Sequence, residues 1–99
     1  MSNIWVVNRA AGKGWDPDKK VTEQPDWDAH AKLMDQFHDE AFVLFAGPLG
    51  VKPFEAMMLV RAETEADVHE RFAADPWVIK DISRIVRVVR WHLRLGSVD

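Results

Sequence analysis

Apolar residues in this chain keep two rhythms, one of strands and one of helices. Asn3 to Arg9 (N-I-W-V-V-N-R) is dense in β-branched and aromatic residues and predicts a strand. From Ala10 to Pro25 the rhythm stops. Two glycines, two prolines and mixed charges predict a loop, and loops this long are uncommon unless they serve a function. The helical rhythm runs from Trp27 to Ala41. At 100° per residue, Trp27, His30, Ala31, Leu33, Met34, Phe37, His38 and Ala41 fall within an arc of roughly 160°. Asp28, Lys32, Asp35, Gln36, Asp39 and Glu40 take the other side.

The second half repeats the alternation. Phe42 to Ala46 predicts a buried strand, ended by Gly47-Pro48 and by Gly50 and Pro53. Phe54 to Ala62 (F-E-A-M-M-L-V-R-A) predicts a third strand. Thr64 to Asp67 resembles a capping box and opens a helix to about Ala74, with Val68 and Phe72 inward. Asp75-Pro76 stops it, because proline cannot extend the ladder. Trp77 to Ile82 fits a short helical turn, and Arg84 to Leu95 a long last strand.

The order is βαββαβ, the ferredoxin-like plan: an α+β fold with a four-stranded antiparallel sheet and two helices on one face. A sheet covered on one side should alternate apolar with polar residues. These strands do not. Ile4 and Val6 interleave with Trp5 and Val7, Met58 and Val60 with Met57 and Leu59, Val86 and Val88 with Ile85 and Val89. Two helices cover one apolar face, and a bare second face is what soluble monomers avoid. The expectation is a homodimer through sheet-to-sheet packing; loops covering that face are the alternative.

Composition narrows the classes. The 99 residues suffice for one domain spanning 1–99, and 47% hydrophobic residues place it among folded globular proteins. A formal charge of −3 argues against nucleic acid or an anionic membrane as partner. With no cysteine there is no disulfide framework, thiolate nucleophile or cysteine zinc site. No signal-like opening and no 18-residue apolar run is visible, so the chain is expected to be soluble and cytoplasmic. Five tryptophans are many for this length, and such residues serve cores, ligand walls and interfaces alike.

His30 is the first chemical candidate. It sits at the centre of the apolar helix face, where a histidine needs partners for both ring nitrogens. Such a residue suits general acid–base work. Helix geometry alone favours the alternative, a core histidine with purely structural hydrogen bonds. His38 lies at the edge of the stripe, about 12 Å from His30 along the axis, so the two cannot share one metal. His69 and His92 also lack a ligand at metal-like spacing, and no metal site or cofactor is expected. Asp75 is the second candidate. It is read at the C-terminus of the second helix, on the side of Val68 and Phe72, where a carboxylate meets the negative end of the helix dipole and needs a partner such as histidine. A plain Asp-Pro turn is the alternative. Arg84, Arg87, Arg90 and Arg94 on the last strand fit surface or dimer-crossing ion pairs, or an anionic substrate.

Trp15-Asp16-Pro17-Asp18, Glu23-Gln24-Pro25, Trp27-Asp28-Ala29-His30, Ala46-Gly47-Pro48-Leu49, Ala73-Ala74-Asp75-Pro76-Trp77 and the closing Trp91, in this order, resemble the YCII-related (YciI-like) family. The resemblance implies a dimeric α/β barrel with a cleft in each subunit, and His30 and Asp75 as a catalytic pair. It implies a small-molecule ligand held by Trp27, Gly47, Pro48, Leu49 and Trp77. Because the family includes a dehydrochlorinase, elimination or isomerisation of a small organic or ring compound is the expected chemistry. Two positions depart: Ala41 stands where the family usually has glycine, and Thr22 where relatives often have arginine.

A non-catalytic ligand-binding or regulatory dimer is the competing function. A dyad open to a cleft favours the enzyme; a sealed dyad favours the binding module. RNA-recognition domains share the strand order, but the third strand lacks their basic-aromatic signature. Haem- and flavin-dependent oxygenases also use dimeric barrels, yet no cofactor motif is visible.

Overall fold

The computed structural model describes residues 2–98. Its elements are β1 (Asn3–Ala11), a 3₁₀ turn (Val21–Glu23), α1 (Trp27–Asp39), β2 (Val43–Pro48), β3 (Glu55–Ala62), α2 (Glu65–Phe72), α3 (Pro76–Ile79) and β4 (Ser83–Arg90). The strands form one antiparallel sheet in the order β2-β3-β1-β4. With the two longer helices on one face, this is the ferredoxin-like α+β fold read from the sequence.

Strand parity decides which residues meet the helices. On β1, Trp5, Val7 and Arg9 are buried while their neighbours are not. Met58, Val60 and Ala62 on β3 share that side. Against them pack Phe37 of α1 and Val68 and Phe72 of α2. Phe37, Phe42 and Phe72 form an aromatic cluster with centroids 5.1–5.8 Å apart, in edge and tilted geometries that suit ring quadrupoles. Trp5 donates its indole N–H to the Ala62 carbonyl at 2.9 Å, so its one polar atom is satisfied.

The opposite face carries Val6, Leu59, Met57 and Val89 in register across three strands. Phe45 and Val86 stand 61% and 57% exposed. Val6, Met57, Val89 and Trp91 line a groove there of about 280 Å³ with Arg87 and Arg90.

Element ends differ from the sequence reading for local reasons. β1 runs on to Ala11 because Ala10 pairs with both Glu55 and Arg84. β4 stops at Arg90 rather than Leu95. Beyond it the Trp91 N–H still donates to Ile4 O at 2.9 Å. α1 stops at Asp39 in a Schellman motif. Phe42 N–H bonds Phe37 O at 2.9 Å, Ala41 N–H bonds His38 O at 3.0 Å, and the rings of Phe37 and Phe42 meet. The left-handed residue of this motif is Ala41, φ 61°. Glycine at that position would meet no steric cost. α2 opens on the expected capping box: Asp67 N–H donates to Thr64 Oγ1, and Thr64 N–H to Asp67 Oδ2.

The long loop is tied down by one side chain. Gln24 is buried. Its amide donates to Asp16 O at 2.7 Å and Lys19 O at 3.1 Å, and its Oε1 accepts from Asp16 N–H at 2.9 Å. The loop begins where Gly12 passes against the turn before β4. A Cβ on Gly12 would lie 2.1 Å from the Asp81 carbonyl oxygen, so only glycine fits.

Candidate active site

Three elements deliver the polar centre. α1 turns His30 inward in its first turns, β1 delivers Arg9 at its inward parity, and the α2–α3 junction delivers Asp75. His30 Nδ1 lies 2.9 Å from Asp75 Oδ1 and 3.1 Å from Oδ2. Arg9 Nη1 donates to Asp75 Oδ2 at 2.7 Å, and Trp77 N–H donates to Oδ1 at 2.9 Å. Asp75 has no exposed surface.

The position of Asp75 corrects the sequence reading. α2 ends at Phe72, and Asp75 is the N-cap of α3, with Pro76 in the first helical position. The carboxylate therefore meets the positive end of a short helix, not the negative end of a long one. Burial acts most strongly on its titration and pushes it up. The hydrogen bond from His30 and the charge of Arg9, joined by the charge of His30 when its ring is protonated, outweigh burial and hold Asp75 below the usual carboxylate range.

An ionised Asp75 accepts and cannot donate, which places a proton on His30 Nδ1. Nε2 makes no hydrogen bond among the described residues, and no buried polar side-chain atom lacks a partner. The Nε2 edge is therefore the open one. Trp77 fixes the ring plane by stacking on it, with centroids 3.9 Å apart and planes within 4°. Trp77 is itself held by its indole N–H, 2.7 Å from Pro25 O, and by edge contact with Trp15, which stacks on Phe54 at 4.2 Å.

His30 opens on a cavity of about 280 Å³ between α1 and the β2–β3 end of the sheet. Of the expected ligand residues, Trp27, Gly47, Pro48 and Trp77 line it together with Met34, Phe54 and Met58. Leu49 is outside this lining and 44% exposed. Thr22 lines a separate exposed hollow at the start of α1. His38 is exposed, His69 pairs with Glu65, and no metal-binding group of three or more His, Cys, Asp or Glu occurs among the described residues. Arg84 is ion-paired with Asp81 and Arg90 donates to Asn3 Oδ1. Sequence reasoning missed Arg9 and Ser83. Arg9 Nε donates to Ser83 Oγ at 3.0 Å and Nη2 to Ser83 O at 3.1 Å. The available signal was parity, since Arg9 shares the face of Trp5 and Val7.

The class defined so far is an α+β protein with an imidazole–carboxylate–guanidinium centre beside an apolar cavity. No family model matches the chain, and no curated protein matches it. Solved structures share the fold. One is 5-chloro-2-hydroxyhydroquinone dehydrochlorinase (TftG) from Burkholderia phenoliruptrix AC1100, in complex with 2,5-dihydroxybenzoquinone. It has a TM-score of 0.63 and 16% identity, covering 94% of this chain and 95% of that one. Another is protein YJCS from a structural-genomics programme, with a TM-score of 0.55 and 12% identity, covering 95% of this chain and 100% of that one. Among the described residues, no helix is long and apolar enough to cross a membrane.

Proposed function

We propose that the chain is a YCII-related, YciI-like small-molecule enzyme in which His30 is the acid–base catalyst and Asp75 orients it. The observation that carries this reading is the His30 ring itself. One nitrogen is bound to a fully buried carboxylate 2.9 Å away, and the other edge opens on the apolar cavity. A histidine serving structure alone would have both nitrogens engaged within the fold. The shared fold with a dehydrochlorinase supports the family and the reaction class.

The chemistry is proton transfer at Nε2. In an elimination, Nε2 takes a proton from a ring or small organic substrate, a double bond forms, and the leaving group departs with the bonding electrons. In an isomerisation, the same proton returns at another atom. Asp75 stabilises the imidazolium in both. Trp27, Trp77, Gly47 and Pro48 form the wall that keeps a ring in place. The same reading includes a cytoplasmic homodimer packed through the Val6–Leu59–Val89 face, whose uncovered apolar surface is the supporting observation.

The test is a panel of hydroxylated rings, cyclic enols and β-halo acids incubated in heavy water. Mass spectrometry reads carbon-bound deuterium and eliminated product. Turnover or exchange of one class by the wild type is expected, with His30→Asn at least about 100-fold slower and still folded. Full activity in His30→Asn would sink the proposal.

A further inference from the structure

We propose that Arg9 is a positioning residue for His30, acting through Asp75: its guanidinium keeps the carboxylate an acceptor only, which holds the His30 proton on Nδ1 and leaves the Nε2 lone pair facing the cavity. The inference rests on the reading of His30 as the base.

The argument begins with what a buried carboxylate can do. Asp75 has no exposed surface, and burial favours its neutral, protonated form. A protonated Asp75 would become a donor. The imidazole would then have to accept at Nδ1, and its own proton would move to Nε2. The cavity would face an N–H instead of a base. Whether the site works therefore depends on which partner owns that proton.

Arg9 decides this by chemistry and by placement. Guanidinium is a donor with no acceptor, and it keeps its charge in proteins. Nη1 is 2.7 Å from Asp75 Oδ2, while Nε and Nη2 are bound to Ser83. Three donors on two Ser83 and Asp75 acceptor groups fix the fork, and Arg9 is only 2% exposed, so water does not screen the pair. The groups facing Asp75 are Arg9 from β1 and His30 from α1. Its other hydrogen-bond partners, the Phe72, Trp77, Val78 and Ile79 backbones, are uncharged. Among the described residues, no second carboxylate bonds the guanidinium. Arg9 and Asp75 together are neutral, so a proton gained at Nε2 adds one positive charge beside a cavity that would then hold the substrate anion. Burial notwithstanding, Asp75 titrates below the usual carboxylate range, lowered first by the His30 hydrogen bond and next by the Arg9 charge.

The test uses the full-length chain, labelled with ¹⁵N in histidine and ¹³C in aspartate carboxyl groups, as wild type, Arg9→Lys and Arg9→Gln. Glutamine keeps hydrogen bonding without charge; lysine keeps the charge. In the wild type we expect a bare Nε2, a protonated Nδ1, and an Asp75 carboxyl that stays ionised down to about pH 4. Arg9→Lys should retain this signature. In Arg9→Gln the carboxyl should bind its proton at least about tenfold more tightly, and the Nε2 resonance should move toward a protonated nitrogen. A wild-type spectrum in Arg9→Gln overturns the proposal. If Arg9→Gln does not fold, the wild type decides alone: an Nε2–H ring, or an Asp75 carboxyl titrating above about pH 4, overturns it, and the bare Nε2 with an ionised carboxyl sustains it. None of these signals needs a substrate. Failure of every turnover assay would defeat the enzymatic reading and leave the Arg9 result standing.

Discussion

At the scale of single residues, the site rests on which groups share a buried charge. Asp75 titrates lower in the fold than in the unfolded chain. Its contribution to stability is thus fully present above the unfolded value, near pH 4, and is lost as pH falls through the lower folded value. Asp75→Asn removes that contribution and leaves Arg9 buried without its counter-charge. At pH 7 the variant should lose about 3–5 kcal/mol in urea unfolding, and the gap to wild type should narrow as pH falls below about 4. A gap independent of pH would show that the carboxylate charge is not what matters. His30 was legible in the sequence because a helix of thirteen residues displays its apolar face by period alone. Asp75 was legible as inward but not as an N-cap, since the four residues of α3 are too few for a period. Arg9 was hidden by its type. An arginine near a strand end usually carries its charge to water, and only the distant Asp75 reveals why this one does not.

At the scale of elements, two turns carry testable costs. Ala41 sits at φ 61°, a conformation that costs an L-residue roughly 1–2 kcal/mol and glycine almost nothing. Ala41→Gly should therefore raise stability by about 1 kcal/mol in thermal or urea unfolding. An unchanged or lower value would contradict the strain. Gly12 is the opposite case. Gly12→Ala places a methyl against the Asp81 carbonyl and must displace the turn ahead of β4, at a cost of about 1–3 kcal/mol. Wild-type stability in that variant would mean the two backbones are further apart. The Trp27 helix, the capping box at Thr64 and the βαββαβ succession of elements were all readable, because each is set by local period or local capping. The Gln24 clasp was not, since its partners Asp16 and Lys19 lie in a segment with no period at all. The Glu23-Gln24-Pro25 stretch has a physical role: the glutamine holds the loop, and the Pro25 carbonyl receives the Trp77 indole.

At the scale of the whole molecule, the lack of polar alternation in the strands is explained on one side by the helices and left unmatched on the other. Val6, Leu59, Val89 and Phe45 are the residues a second copy would cover. Light scattering should give a mass near twice 11.4 kDa, and Leu59→Glu with Phe45→Glu should return the single mass without loss of secondary structure. A wild-type mass near 11.4 kDa at micromolar concentration would remove the dimer from the account. The cavity beside His30 lies on the helical side of the sheet, so the imidazole–carboxylate centre can be judged separately from that outcome.

The most direct test is a crystal structure with a hydroxylated ring compound soaked into the protein. The ring is expected between Trp27 and the β2 edge at Gly47 and Pro48, with its acidic hydroxyl or carbon within about 3.2 Å of His30 Nε2. A ligand seated elsewhere, or an Nε2 turned away from it and bonded to the protein, would contradict the account.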